Sequence, residues 1–151
     1  MKKLIPMFIL VIMLFMGCEE AVKELSTTIS GTVKDDNVPV VGAYVFAMEG
    51  LTISDLASLD VSLSSGTKVL SDSGRYVIPE LKPGTYQVFA IEDVNENNMI
   101  DYDIDRIGIY GETYEVGGTV FPMSFDAVTI ANDGDDIENI NIYEMANFPS
   151  L

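Results

Sequence analysis

Histidine is absent from these 151 residues, cysteine occurs once, and only eight lysines and arginines stand against 24 aspartates and glutamates. Each shortage removes a class of function. Without histidine the chain lacks the usual general base, the Ser-His and Cys-His nucleophile pairs and the commonest zinc ligand, so familiar hydrolytic chemistry is not expected. Carboxylate-pair chemistry stays formally open because acids are abundant, but abundance without a placed acid and base is not a site. A single cysteine, Cys18, permits no internal disulfide, which leaves stability to the core. The net charge of −16 offers no basic footprint for nucleic acid phosphates and no polybasic stretch for an anionic membrane surface. The apolar run over residues 4–16 is too short to span a bilayer.

That run follows Lys2 and Lys3 and ends at Gly17-Cys18, the order of charge, apolar stretch and small residue expected of a secretory signal. The stretch Leu14-Phe15-Met16-Gly17-Cys18 resembles the lipobox of bacterial lipoproteins, in which the thiol receives a diacylglyceryl group and cleavage makes the cysteine the new N-terminus. It departs from that pattern in having Phe15 and Met16 where Leu and then Ala or Ser are usual. The resemblance implies a signal peptide over residues 1–17, an acylated Cys18 and an acidic tether over residues 18–26. Removing 17 residues leaves 134, enough for one domain, with six bases against 24 acids and a net charge of −18. The lipid then does the anchoring, each buried CH₂ contributing about 0.8 kcal/mol.

From residue 27 the pattern becomes that of short strands. TTISGTVK sets Ile29, Gly31 and Val33 on one face, and DDNVP supplies a turn. Residues 40–48 are β-branched and aromatic enough for a strand buried on both faces. Residues 49–66 read as an insertion, either a short helix capped near Ser54 with Leu56 and Leu59 on one side, or a surface loop. TKVLSDSGRYVI reads as a hairpin turning at residues 71–74. TYQVFAIED alternates Tyr86, Val88 and Ala90 with Gln87, Phe89 and Ile91. Residues 93–114 are acidic and irregular, and two closing strands near 125–131 and 137–144 flank an NDGDD hairpin loop. About seven strands, with no long amphipathic helix and no internal repeat, predict an all-β fold: an antiparallel Greek-key β-sandwich over residues 27–146.

ISGTVKDDNVPVVGAYVFA followed by SDSGRYVIPELKPGTYQVFAIED resembles the carboxypeptidase regulatory-like domains, within the wider prealbumin-like or transthyretin-like sandwich group. The elements that carry the resemblance are the Gly-Thr-Val strand, the Pro turn, Gly42-Ala43, Gly74 with Tyr76, and Leu81, Gly84 and Tyr86, together spanning residues 28–92. Each has a structural cause: the glycines relax φ at turns, and Tyr86 is placed to act as a tyrosine corner. The resemblance implies an accessory or interaction module. The zinc-binding histidines of the associated peptidase and the histidines of the prealbumin-like hydrolases have no counterpart here.

One segment has ligand-like spacing. In DVNENNMIDYDID, oxygen-bearing side chains recur at Asp93, Asn95, Asn97, Asp101, Asp103 and Asp105. Calcium takes six to eight hard oxygens, and Asp93, Asn95 and Asn97 at loop positions 1, 3 and 5, the Met99 carbonyl at 7 and Asp101 at 9 match a calcium loop. Asn98 stands where the EF-hand loop needs a left-handed residue. Position 12 is Ile104 rather than a bidentate Glu, so closure falls to Asp103, Asp105 or a group elsewhere. The other reading is a solvated acidic loop whose Asn and Asp serve turn formation. Tyr102, Tyr110, Tyr114 and Phe121 lie in the same region and form either a sugar-stacking surface or part of the core.

These observations predict a non-enzymatic binding or assembly module of the bacterial cell envelope. The membrane contact is the acylated Cys18, the ligand is a protein or glycan, and calcium is the expected cofactor at Asp93, Asn95, Asn97, Met99, Asp101 and Asp105. The alternatives are a purely structural spacer and a carboxylate-dependent glycan-active enzyme built on a pair such as Asp101 and Asp105.

Overall fold

Short apolar strands separated by tight turns organise the chain, and the computed structural model describes them over residues 26–148. The expected signal segment, Cys18 and the tether up to residue 25 lie outside the described residues. In chain order the strands are β1 (Thr28–Thr32), β2 (Lys34–Asp35), β3 (Val38–Pro39), β4 (Tyr44–Glu49), β5 (Thr67–Lys68), β6 (Arg75–Ile78), β7 (Gly84–Glu92), β8 (Arg106–Ile109), β9 (Gly111–Val116), β10 (Thr119–Phe125), β11 (Val128–Ile130), β12 (Asp136–Ile137) and β13 (Ala146–Asn147). Five of these thirteen segments are only two residues long, which is why the pattern in the sequence suggests about seven.

The strands form an all-β sandwich. The larger sheet runs β13-β8-β7-β4-β5, with β11 also on β7, and the smaller runs β12-β1-β6. Strand β7 is the hub. It pairs along one side with β4 from Glu92's neighbour Ile91 down to Tyr86, and its other side is shared between β11 at residues 84–86 and β8 at residues 89–92. Pairing is antiparallel except where β1 meets β12 and where Val33 bridges Ile142, both parallel.

Alternation along β7 places the two cores. Tyr86, Val88 and Ala90 face the smaller sheet, where they pack with Ile29, Val33, Tyr76, Val45, Val128 and Ile130. Phe89 and Ile91 face the other way and join Tyr44, Phe46, Ile107 and Ile109. Phe46 and Phe89 are cross-strand partners whose rings stack with centroids 5.1 Å apart. A sheet apolar on both faces needs a cover on each. Residues 53–58 and 63–65 supply the second one as two short 3-10 turns that bury Leu56, Leu59 and Leu63 against this face. The insertion is therefore part of the core. Its first turn starts at Thr52, two residues before the Ser54 start read from sequence, where Asp55 accepts hydrogen bonds from the Thr52 N–H at 2.7 Å and Oγ1 at 2.6 Å. These bonds hold the Asp55 carboxyl below its ordinary pKa.

Two pairings differ from the sequence reading. Residues 71–74 do turn, with Gly74 N–H donating to the Ser71 carbonyl at 2.8 Å, but β5 pairs with β4 and β6 pairs with β1, so the turn carries the chain from one sheet to the other. Likewise β11 joins the larger sheet and β12 the smaller, so residues 131–135 form a crossover rather than a hairpin loop. The irregular reading of 93–114 also gives way at its end. Arg106–Ile109 is a buried strand, and Gly111–Val116 pairs with β10 as a hairpin.

Candidate functional site

Residues 93–105 connect two neighbouring strands, because Glu92 ending β7 lies opposite Arg106 opening β8. That closing pair is charged. Arg106 donates to Glu92 through Nε at 2.6 Å and to Asp35 through Nη1 at 2.5 Å, and Asp35 also accepts the Met145 N–H at 3.2 Å. Burial disfavours the guanidinium charge, but the hydrogen bonds and charges of Asp35 and Glu92 outweigh it and push the pKa of Arg106 up.

Asp105 closes the loop from below. It is buried, its Oδ1 accepts the Val94 N–H at 3.0 Å, and its Oδ2 accepts the Asp101 N–H at 2.8 Å. The Asp101 carbonyl in turn accepts the N–H groups of Ile104 and Asp105, making a single helical turn. At the other end Asp93 accepts the Asn97 N–H at 3.1 Å and the Asn98 N–H at 2.7 Å. Such a tight fold needs a left-handed residue, and Asn98 takes φ +61 at the position expected from its place in the sequence. Glu96 is left-handed as well, at φ +57.

The loop head brings Asp93, Asn95, Asn97 and Asp101 together. The Asn95 and Asn97 side-chain amides both donate to Asp101 Oδ2, at 2.7 and 2.6 Å, while their own Oδ1 atoms accept the backbone N–H groups of Asn97 and Met99. Asp103, Ile104 and the Met99 side chain point to solvent. Mutual repulsion among these acids is thus relieved by protein donors: Arg106 at Glu92, and N–H groups at Asp93, Asp101 and Asp105. Among the described residues no set of three or more His, Cys, Asp or Glu side chains is grouped to hold a metal ion; here two of the candidate ligands are amides. The donor set is nonetheless of the hard-oxygen kind that suits calcium, and the accepting oxygens of Asp93, Asn95 and Asn97 each keep a second lone pair.

A neighbouring contact was not visible in the sequence. Tyr44 on β4 donates its hydroxyl to Asn98 Oδ1 at 3.2 Å and accepts from Lys68 Nζ at 3.2 Å, with the ammonium 4.9 Å from the ring centre. The loop is thereby tied to β4 and β5 across a polar cleft of about 440 Å³ lined by Gly42, Tyr44, Lys68, Asp93, Glu96 and Asn98 among others. No local pattern joins residues 44, 68 and 98; only the sheet order does.

The four candidate stacking aromatics separate. Tyr102 lies edge-on to Phe148 and donates to the Leu59 carbonyl at 2.9 Å, and Tyr110 packs on the core between the sheets. Tyr114 and Phe121 alone form a surface pair, their rings stacked with centroids 5.2 Å apart on the β9–β10 ribbon. The second acidic loop is a turn: Asp135 accepts the N–H groups of Ala131 and Asn132, and Gly134 N–H donates to Thr27 Oγ1. Of the carboxylates considered for glycan chemistry, Asp105 commits both oxygens to the N–H groups of Val94 and Asp101, and Asp101 commits its Oδ2 to the Asn95 and Asn97 amides. No family model, curated protein or solved structure matches the chain.

Proposed function

We propose that this chain is a non-enzymatic, lipid-anchored β-sandwich of the bacterial cell envelope that binds a protein or glycan through its exposed β9–β10 ribbon. The observation that carries the reading is the ribbon itself. It pairs with no other strand among the described residues, and it exposes Tyr114, Val116 and Met123 by 48, 61 and 59%. Amphipathic aromatics held rigidly at a surface supply contact area at little entropic cost. The lipobox-like sequence at Cys18 supports the anchor, and the resemblance of residues 28–92 to carboxypeptidase regulatory-like domains supports an accessory role. Calcium at Asp93, Asn95, Asn97, Asp101 and the Met99 carbonyl would displace two amide N–H groups from Asp101 and stiffen the loop, with Asp105 closing it beneath.

The test is a panel of glycans and envelope proteins probed with the full chain in detergent and with a Tyr114→Ala/Phe121→Ala variant. Binding by the native chain that the variant loses is expected; silence of the native chain across the panel would favour a structural spacer. Fatty-acid labelling that persists in Cys18→Ser would refute the anchor.

A further inference from the structure

The β9–β10 ribbon has one blocked edge and one open edge. Gly117 and Gly118, with φ of +62 and +82, make the two-residue turn that joins the strands. On the β10 side the edge carries Pro122, which has no N–H to offer, and a register shift between Pro122 and Ser124. Those are the devices that keep a sheet edge from recruiting another strand. Strand β9 has neither. It contains no Pro, no Lys and no bulge, and among the described residues its backbone forms no hydrogen bond other than those to β10.

The side chains along this open edge are of one sign. Glu112 and Glu115 are exposed, and residues 111–125 contain no lysine or arginine. Alternation puts Glu112, Tyr114 and Val116 on the face that carries the Tyr114–Phe121 stack and Glu115 on the other, beside Thr113, whose hydroxyl donates to Glu144 at 2.5 Å. A second copy is a poor occupant. Antiparallel pairing of β9 with itself keeps like faces together, so about Tyr114 it sets Glu112 against Val116 and Thr113 against Glu115. It also makes the two Glu115 side chains diagonal neighbours, and brings four carboxylates to one ladder with no base to offset them.

We propose that the open edge of β9 accepts an extended basic peptide as a third, antiparallel strand. Its cationic side chains meet Glu112 and Glu115, and an apolar side chain lies on the Tyr114–Phe121 stack. The inference rests on the reading of the domain as a binding module and names the partner's chemistry. Main-chain hydrogen bonds supply affinity in strand addition, and the side-chain pattern supplies selectivity. Opposite residues 116 to 112 the matching order is Thr-Lys-Val-Thr-Lys.

A blocked, fluorescent peptide with that core is titrated against the full chain in detergent by anisotropy, at about 150 mM salt to suppress unspecific attraction. Saturable binding is expected, weakened at least about tenfold by N-methylation of alternate peptide amides and by Glu112→Lys/Glu115→Lys. The same variant should bind the peptide with Glu in place of Lys, which also shows that its edge is intact. Equal binding of the N-methylated peptide, indifference to the charge reversal, or dimers by sedimentation without peptide would overturn strand addition. Panel binding that survives in the charge-reversed variant while the peptide is ignored overturns this inference alone; absence of any binding overturns the module reading as well.

Discussion

The buried hydroxyl of Tyr76 donates to the carbonyl of Ile140 at 2.6 Å, joining β6 to the chain's closing segment across 64 residues. Burial, with the neighbouring Tyr110 adding to it, pushes the Tyr76 pKa up from its ordinary value of 10.0. Below that ordinary value the group is neutral folded and unfolded, and its contribution is fully present. Above it the unfolded chain ionises while the folded hydroxyl keeps its proton, so stability falls as pH rises. Tyr76→Phe should cost about 1–3 kcal/mol near neutral pH by leaving a buried carbonyl unpaired. It should also flatten the loss of stability above about pH 10. Urea melts of both proteins at several pH values read both effects, and parallel alkaline slopes would contradict the second.

Gly31 lies on the other side of the same carbonyl. A Cβ there would stand 1.9 Å from the Ile140 oxygen, and backbone cannot yield as a flexible side chain does. Gly31→Ala should displace residues 140–142 from β1 and destabilise the domain by about 1–3 kcal/mol or more. A melting temperature equal to that of the native chain would show that this close approach is relaxed at no cost.

The two 3-10 turns are a lid on the larger sheet, and Leu56 is its fully buried centre. Leu56→Ala should cost about 2–5 kcal/mol, as for other buried leucines. An exposed loop would lose less than about 0.5 kcal/mol, so chemical denaturation separates the two cases.

For calcium, an affinity near the roughly 10⁻⁴ M of extracellular modules and about millimolar ion would add about 1.4 kcal/mol by mass action, raising the melting temperature by several degrees. Asp93→Ala should remove that response. Identical melts with calcium and with chelator, or an unchanged response in the variant, would exclude the ion from this loop.

What the sequence disclosed was local. Alternation along β7 identified which side chains face each core, and the tyrosine-corner reading of Tyr86 is met by its hydroxyl donating to the Lys82 carbonyl at 2.9 Å. The left-handed Asn98 was likewise legible from loop spacing. Partner choice was not. The turn at residues 71–74 looks the same whether the flanking strands pair with each other or with β4 and β1, because the deciding contacts are dozens of residues away. Strand β8 is four residues with a central glycine, too short for its alternation to stand out from the acidic loop before it. Leu56 and Leu59 showed helical spacing, but nothing nearby in the chain names the sheet face that they and Leu63 cover.

The parallel pairing of β1 with β12 sets an order of events for a chain being made from its N-terminus. Thr28 lies opposite Asp136, and Val33 opposite Ile142, so β1 waits for a segment more than a hundred residues later before its second edge is closed. Loop closure over more than a hundred residues is slow, and an uncovered strand edge invites wrong partners in the interval. Nascent or truncated chains that stop before residue 136 are therefore the species most in need of a chaperone, and the arrival of residues 136–142 decides when β1 becomes safe from aggregation.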